Sequence, residues 1–564
     1  DGIDEDLDQL IWKRYAAGLH QALGLVVHDS KVVVLGRDQI TRLVDVNGDD
    51  EADYYQCLTN EFPTKPGNSY ACTLHQDEDG TLYWFTRSEG FGFTRFREED
   101  KPQSIATGLR GTNGTGVSPD GQILLSTVQE GDWTPASAIF EVGGGSFHGH
   151  KGPQDGRGQY GYDLPMCFIP RGLDNSSGDI AFLPEDDRFG PLSGCILGTS
   201  LGACLHYKIL REDINGRSQG GIVPLAGDFL SGAHRSRYNP HDGQFYVGGS
   251  HGWESYAQED GSLQRVRYNG GDLHLPTSVE TRENGLIVRF NTKIDPSTVK
   301  AENAFCEQWN YLYSSAYGSA EYSVKKPSRI GHDAVEVNSV QLLESGDAVF
   351  VEIQQLHPVM QLHLYLDLKT ADGKSFTPDL YYSIFELGEA FTDFPGYQKV
   401  EKSDFPDFPA PEDAPRDPRL VAQERLGKST GEFETAVISC VPGLQFEPRR
   451  IQMRAGRRAS LVLKNVDVEM PHNFVLVQPD RIEEVGQASM KLAADPKAVA
   501  IHYVPNDPAV IAMSPLIGPG EQYAIYFNTP REPGEYPFLC TFPGHWLIMR
   551  GALVVTEDEV PTPF

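Results

Sequence analysis

The stretch from Cys540 to Met549, which reads CTFPGHWLIM, limits the possible folds of this chain more than any other segment. It places a thiolate, an imidazole and a thioether on a single short loop. These are three of the four side chains of a copper site in which two histidines and one cysteine form a plane and a methionine binds weakly along the axis. The second imidazole must come from a distant segment, so the fold has to bring that segment to this loop.

His472 is the candidate for the remaining ligand, because it opens the apolar run HNFVLV, which is typical of a buried strand. Any one of these residues alone would more often serve packing. Zinc would accept the histidines and the cysteine, but a methionine in the fourth position favours copper. The sequence therefore predicts a copper site formed by His472, Cys540, His545 and Met549.

Residues 432–558 resemble the azurin and auracyanin family of cupredoxins. The resemblance is carried by PHNFVL from Pro471, SPLIGPGE from Ser514, and CTFPGH from Cys540 followed by the MRG that starts at Met549. It implies a Greek-key β-sandwich with copper held by His472, Cys540, His545 and axial Met549. Family members often have glycine before the first histidine, with its carbonyl as a distant fifth ligand. Pro471 stands there in this chain; it keeps the carbonyl but fixes φ.

The resemblance also implies a mechanism, one-electron transfer with little change of geometry at the metal. In the family, the imidazole edge that corresponds to His545 is exposed inside an apolar patch, where electrons enter and leave. Trp546 is interpreted either as part of a docking surface or as packing. Asn473 is expected to join the two ligand loops by hydrogen bonds. Four protein ligands leave no position for a substrate, so the copper domain by itself predicts an electron carrier.

Residues 16–270 predict short strands joined by Gly, Asn and Asp turns, as in SPDGQ from Ser118 and NPHDGQ from Asn239. About 250 residues at about 40 per four-stranded unit predict a β-propeller of six blades, with five or seven as alternatives. The region resembles the six-bladed propellers of sugar and sorbosone dehydrogenases, which carry a quinone cofactor in that family. His234, Arg171 and Arg235 are the candidates for a ligand-binding funnel. The alternative is that they hydrogen-bond neighbouring loops.

A calcium loop is predicted at Asp45, Asn47, Asp49 and Asp53, whose oxygens occupy positions one, three, five and nine of the calcium-loop pattern. The pattern is incomplete, because Asp50 replaces the glycine at position six and no glutamate follows at position twelve. The alternative interpretation is a polar hairpin turn.

The remaining segments complete an all-β chain. Residues 1–15 are an acidic lead-in, and residues 271–390 resemble a bacterial Ig-like module, which implies a β-sandwich used for spacing or docking. Residues 391–431 are a proline-rich acidic linker, semi-rigid by composition, with a short helix expected at 418–426.

Charge and cysteine content limit the partners and the compartment. The formal net charge of −31 disfavours nucleic acid and anionic membranes as partners. No apolar run is long enough for a transmembrane helix, and the start at Asp1 is typical of a processed or truncated chain. Among eight cysteines, Cys57 with Cys72 and Cys195 with Cys204 are close enough in sequence for disulfides. Copper, acidity and disulfides together favour a periplasmic or extracellular protein, membrane-associated only through a partner.

Two functional classes and one weaker alternative follow. The favoured one is a blue-copper electron-transfer protein whose other domains dock it to a redox partner, such as a cytochrome c or a membrane electron-transfer complex. The alternative is a quinone-dependent sugar or alcohol dehydrogenase that passes electrons to its own copper domain. The third is a cell-surface scaffold.

Overall fold

A computed structural model describes residues 11–63, 70–87, 92–252, 255–410, 416–468, 470–493, 495 and 497–557. Most of the lead-in, Pro411 and Pro415 of the linker, and the C-terminal tail lie outside these residues. The described chain is almost entirely β-structure, as predicted. It forms two compact units. The first contains the residues up to Glu130, Ala136–Trp309 and His332–Phe405; the second contains Gly131–Pro135, Asn310–Gly331 and the residues from Pro406 onward.

The N-terminal part of the first unit consists of short antiparallel strands joined by tight turns. In the turn that follows Ser118, the Gly121 amide donates to the Ser118 carbonyl at 2.8 Å, and Gly121 has φ +67°. The second predicted turn is one residue longer, because the Gly243 amide donates to the Asn239 carbonyl at 2.9 Å. The strands are β1 Gly24–His28, β2 Lys31–Leu35, β3 Ile40–Val44, β4 Tyr54–Thr59, β5 Ala71–Gln76, β6 Leu82–Thr86, β7 Phe93–Phe96, β8 Gln103–Thr107, β9 Thr115–Val117, β10 Leu124–Val128, β11 Ser137–Glu141, β12 Ser146–Phe147, β13 Cys167–Ile169, β14 Ser177–Phe182, β15 Ile196–Ser200, β16 His206–Ile214, β17 Arg217–Pro224, β18 Gly232–Asn239, β19 Gln244–Ser250 and β20 Gly261–Val266.

These strands form five successive sheets in the described part of the chain; the prediction was six blades, with five or seven as alternatives. The orders are β1-β2-β3-β4, β12-β8-β7-β6-β5, β13-β11-β10-β9, a sheet that starts β14-β15-β16-β17, and β18-β19-β20. The first strand of each sheet packs against the first strand of the next, from β1 through β5, β9 and β14 to β18. One sheet takes up a fifth strand, because β12 pairs in parallel with β8.

The region that resembles an Ig-like module forms two antiparallel layers. Its strands are β21 Pro276–Arg282, β22 Gly285–Phe290, β23 Ala304–Tyr311, β24 Glu321–Tyr322, β25 Asp333–Ala334, β26 Ser339–Leu342, β27 Ala348–Glu352, β28 Val359–Leu366, β29 Leu368–Lys369, β30 Ser375–Phe376 and β31 Asp379–Ile384. One layer is β21-β22-β27-β26, and the other runs β31-β28-β23. The second layer continues into the preceding region, because β31 pairs with β17. Glycines allow this approach: a side chain on Gly221 would meet the Tyr381 carbonyl at 2.2 Å.

The second unit is a two-layer β-sandwich with two helices, α1 Pro418–Gly427 and α2 Ile482–Lys491. The first layer has the order β33-β32-β35-β38 and the second β34-β40-β39-β36-β37. Their inner faces enclose a core in which the rings of Phe446, Phe474 and Phe538 contact one another. The strands are β32 Glu434–Val441, β33 Gln445–Glu447, β34 Arg450–Arg454, β35 Arg458–Asn465, β36 Val475–Val477, β37 Val510–Met513, β38 Gln522–Asn528, β39 Gly534–Leu539 and β40 Arg550–Thr556.

Helix α1 confirms the short helix predicted near the end of the linker. Asp417 caps it by accepting from the Arg419 amide at 2.8 Å, and Pro418 is its first residue. The Gln423 side chain exchanges two hydrogen bonds with the backbone of Met513 on β37. The end of the linker is therefore a helix that is attached to the sandwich.

Two segments from earlier in the sequence belong to the second unit, and we call them together the insert: Gly131–Pro135 and Asn310–Gly331. The longer segment is a hairpin in which the end of β23 pairs with β24. The shorter segment pairs with it through the bridge between Asp132 and Tyr317. Leu312, Ala320 and Tyr322 of the hairpin form a small apolar cluster that packs on Ala500 of the sandwich.

The disulfide prediction is wrong, because all eight cysteines are free thiols. Cys57 is exposed on β4, whereas Cys72 is buried on β5 in the next sheet. The thiols of Cys195 and Cys204 face different backbone carbonyls, those of Pro191 and Leu201. Closeness in sequence did not bring either pair together. Among the described helices, none has the length and apolar character needed to cross a bilayer.

Candidate metal centre

The predicted ligands lie at neighbouring ends of two paired strands. His472 precedes β36 and Cys540 directly follows β39, and the two strands are paired through Val475 and Leu539. His472 is fixed by an isolated bridge, in which it and Ile517 exchange backbone hydrogen bonds of 3.0 and 2.9 Å. His545 starts a short 3₁₀ turn, His545–Leu547, after Gly544 in the left-handed conformation. Strand pairing thus provides the long-range contact that the sequence required.

Three side chains converge in a triangle. The Cys540 Sγ lies 3.4 Å from Nδ1 of His545 and 4.0 Å from Nδ1 of His472, and the two Nδ1 atoms are 3.1 Å apart. Metal bonds of about 2.0 Å to nitrogen and about 2.3 Å to sulfur, in a plane, would separate the two nitrogens by roughly 3.5 Å and each nitrogen from the sulfur by roughly 3.7 Å. The donor set therefore fits one metal ion. Among the described residues this is the one group of three or more His, Cys, Asp or Glu with ligand spacing.

Met549 is buried beside this triangle with no exposed surface. Its carbonyl accepts from the Cys540 amide at 3.1 Å, and its amide donates to the His545 carbonyl at 2.8 Å. These bonds tie the methionine to both ligand residues of the loop. A role as axial ligand, like that of the Pro471 carbonyl, stays a prediction.

Burial controls protonation of the site. It raises the pKa of the Cys540 thiol to about 12, against the opposing effect of the backbone N–H groups of Asn473 and Phe542, which point at the sulfur. Burial also lowers the pKa of His545 to about 2 and lowers the pKa of His472. Both imidazoles are therefore neutral at ordinary pH, the state in which their nitrogens can bind a metal.

Asn473 joins the two ligand loops, as expected. Its Nδ2 donates to the Thr541 hydroxyl and to the His502 carbonyl, both at 2.8 Å. Its Oδ1 accepts from the Thr541 amide at 2.8 Å. The side chain is fully buried, so these hydrogen bonds have no competition from water.

Sequence reasoning missed Asp467. Its Oδ2 lies 3.3 Å from Nε2 of His472, on the side of the ring away from the cysteine. The carboxylate is itself positioned, because the Asp467 amide donates to the Cys440 carbonyl and to the Asn465 side chain. A carboxylate behind a histidine fixes the ring orientation and its tautomer. The sequence shows only that an acid stands five residues before a predicted ligand; its burial is visible in the structure alone.

The expectation that the His545 imidazole edge is exposed is wrong. His545 has no exposed surface, and the ring of Phe542 lies 4.9 Å from its ring. Trp546 serves packing: it is 5% exposed and lies beneath the Arg550 guanidinium, 4.7 Å from the ring centre. The exposed apolar residues of the loop are Leu547 and Ile548, at 61% and 60%.

The candidates for a funnel in the first unit make structural contacts. The Arg171 guanidinium is buried and donates twice to Glu130 Oε2, at 2.8 and 3.0 Å. Arg235 donates to the backbone carbonyls of Asn113 and His234 at 2.6 and 2.8 Å. Burial, followed by the charge of Arg235, lowers the pKa of His234 to about 4. These contacts match the alternative in which such residues join neighbouring loops.

The predicted calcium loop is closed by its own hydrogen bonds. The Asp45 carboxylate accepts from the amides of Gly48 and Asp50, and the Asp53 carboxylate accepts from Val46 and Asn47. Asn47, Asp49 and Asp53 are exposed and Asp45 is partly exposed, and the side-chain oxygens of all four accept from backbone amides. This is the polar turn of the alternative interpretation, and calcium has no support here.

The chain is similar to known blue copper proteins over about a fifth of its length. It is 34% identical over 113 residues to auracyanin-A of Chloroflexus aurantiacus, which is 20% of this chain and 67% of that protein. It is 33% identical over 90 residues to azurin iso-2 of Methylomonas, which is 16% of this chain and 67% of that protein. No protein-family model matches the chain.

Two solved structures overlap parts of the chain. Auracyanin A, described as a "blue" copper protein from Chloroflexus aurantiacus, covers 22% of this chain and 100% of its own, with a TM-score of 0.20 and 32% identity. An oxidoreductase (glucose dehydrogenase) from Thermus thermophilus covers 45% of this chain and 86% of its own, with a TM-score of 0.36 and 17% identity. At these TM-scores neither overlap carries a conclusion of its own.

Proposed function

Because this chain belongs, through about a fifth of its length, to the azurin and auracyanin family of blue copper proteins, we propose that it transfers single electrons at a copper ion held by His472, Cys540 and His545. The observation that supports this is the triangle of two Nδ1 atoms and one sulfur in a fully buried pocket. Met549 is proposed as the weak axial ligand.

The protein's own groups prepare this site for electron transfer. A copper ion bound here would supply a reversible one-electron couple. Asn473 holds the two ligand loops at one separation, and the backbone N–H groups of Asn473 and Phe542 stabilise negative charge on the Cys540 sulfur. Asp467 holds the His472 ring. A site whose ligands are fixed in this way changes little between oxidation states, so its reorganisation energy is small.

The partner and the location remain part of the proposal. We propose a one-electron carrier protein as the partner, such as a cytochrome c, or a membrane electron-transfer complex. The family membership supports a periplasmic or extracellular location, and the first unit is proposed to provide docking. The predicted quinone-dependent dehydrogenase and the scaffold have no specific contact in their favour, since Arg171 and Arg235 are engaged in structural hydrogen bonds.

The test is optical and metal analysis of the purified full chain together with Cys540→Ser. One copper per chain, with a strong visible charge-transfer band that bleaches on reduction, is expected of a thiolate-bound copper. Cys540→Ser removes the thiolate and should lose the band while the fold is retained. Cys440→Ser is the matched control, because it makes the same substitution at another fully buried cysteine of the second unit, keeps all predicted ligands and should keep the band. A band that survives in Cys540→Ser, or wild-type protein that binds no copper, would refute the assignment.

A further inference from the structure

The covered imidazole of His545 raises the question of how electrons reach the site. Phe542 is 2% exposed and contacts three rings: His545 at 4.9 Å, Tyr503 at 5.5 Å and Tyr317 at 5.1 Å. Tyr503 is itself buried, at 2% exposed. Tyr317 is the one residue of this group that is partly exposed.

Tyr317 comes from the insert, far from the copper ligands in sequence. It packs against the core of the sandwich, and its ring meets Phe542 edge to face at 81°. The contact Tyr317–Phe542–His545 thus runs from the surface to a ligand ring without a gap. Leu547 and Ile548 are more exposed, but both side chains are aliphatic, so the ring contact that leads from His545 towards the insert is that of Phe542.

The insert is constructed to hold Tyr317 in place. The Tyr317 backbone forms a β-bridge with Asp132, and the Gly318 amide donates to the Gly131 carbonyl at 3.0 Å. The Trp133 amide donates to Ser314 at 2.9 Å, although Trp133 has φ +55°, a conformation that is unusual for a residue other than glycine. The Trp133 ring packs on Tyr313 at 5.1 Å. A strained residue is retained only where neighbouring contacts fix it.

We propose that Tyr317 is the residue through which electrons enter and leave the copper site, by way of Phe542 and His545. This inference rests on the proposed function, since it requires copper at His472, Cys540 and His545. The reduced site gives one electron to a one-electron carrier at the surface of the insert, or the oxidised site accepts one electron from it. No bond is formed or broken, and no proton moves. Tyr317 is a positioning residue for electron transfer and has no part in binding the metal.

The experiment fixes the distance between donor and acceptor by attaching a photo-oxidising ruthenium polypyridyl label to the full chain. The label is placed at Ser315→Cys, an exposed position of the insert, in a background where exposed Cys57 is replaced by serine. After a flash, the excited label gives one electron to a soluble oxidative quencher, the Ru(III) so formed takes one electron from the reduced copper site, and the rate of that second step is followed by absorbance. A control label at Val468→Cys, 78% exposed near Asp467, reaches the site from the His472 side.

Tyr317→Leu should slow transfer to the label at position 315 several-fold, and Tyr317→Phe should restore the wild-type rate because it keeps the ring. Transfer to the label at position 468 should be the same in all three proteins. Tyr317→Met, which is longer but has no ring, serves if the leucine variant does not fold. The absorption and electron paramagnetic resonance spectra should be identical in every variant, because no ligand changes.

Three outcomes would overturn the inference. An unchanged rate at position 315 in Tyr317→Leu would show that electrons bypass the ring while leaving the proposed function intact. A changed spectrum in Tyr317→Leu would show that the residue acts on ligand geometry. Absence of copper from the wild-type chain would remove the proposed function and this inference together, and metal analysis separates that case from the other two.

Discussion

Replacing Asn473 by alanine tests whether one buried amide holds the two ligand loops together. The side chain makes three hydrogen bonds of 2.8 Å, two with Thr541 beside Cys540 and one with the His502 carbonyl. Alanine removes all three and leaves the Thr541 amide without its acceptor in a site with no exposed surface. The backbone N–H of residue 473 that points at the sulfur is unaffected.

The expected magnitude follows from the number of bonds. A buried hydrogen bond between neutral groups contributes about 1 kcal/mol net, so three give about 3 kcal/mol. At about 1.4 kcal/mol per factor of ten, local opening of the ligand loops should become roughly 100-fold more frequent. The change acts on the copper-free protein as well, because the bonds do not depend on the metal.

The assay is thiol trapping in the copper-free full chain. Cys540 is fully buried, so an alkylating reagent reaches it only when the ligand loops open, and peptide mass spectrometry reports its labelling separately from that of other cysteines. Cys167, buried in the first unit, provides an internal reference whose labelling should not change. Asn528→Ala is the matched control, because Asn528 is exposed at the end of β38. Equal Cys540 labelling in Asn473→Ala and in the control would refute the reasoning.

Three further predictions address other contacts. Met549→Leu should keep the visible band, since the thiolate remains. It should raise the reduction potential, because loss of the thioether donor favours Cu(I). A redox titration that finds an unchanged potential would contradict ligation by Met549. Arg171→Met should destabilise the first unit by about 3–5 kcal/mol in denaturant titrations, because it leaves Glu130 as an unpaired buried charge. Adding Glu130→Met should recover much of the lost stability. Equal instability of the single and the double variant would contradict the account. Burial lowers the pKa of His148 from 6.5 to about 4. The unfolded chain therefore takes up a proton that the folded chain does not, so stability should fall as the pH falls through this range, by up to about 3 kcal/mol from this group; a stability slope that is unchanged in His148→Gln would count against this origin.

The residues of the proposed copper site could be selected from the sequence because their chemistry is local. Cys540, His545 and Met549 lie within one loop, and His472 begins a strand whose apolar pattern marks it as buried. The strands of the second unit could also be predicted, since residues that face the core alternate along each strand with residues that face outward. Asp467 was not predicted, because a single carboxylate has no pattern that distinguishes a positioned group from a solvated one.

What the sequence could not show depends on pairing between distant segments. Nothing in the residues around Tyr317 indicates that its ring meets Phe542, more than two hundred positions later. Pairings between strands that are not neighbours in sequence could not be predicted either. β12 pairs in parallel with β8, and β17 pairs with β31.

The second unit is assembled from three separate segments of the chain, and this has a consequence for biosynthesis. Its three segments are translated at widely separated times, and Gly131–Pro135 and Asn310–Gly331 leave the ribosome well before the sandwich that they pack against. Until residues after 430 have been made, Leu312, Tyr317 and Tyr322 have no apolar surface from the sandwich to cover them. Domains usually fold as units, in order from the N-terminus. Here the last domain must be complete before the earlier insert can settle, so truncation within the final strands would leave aromatic side chains near the middle of the chain open to chaperones and proteases.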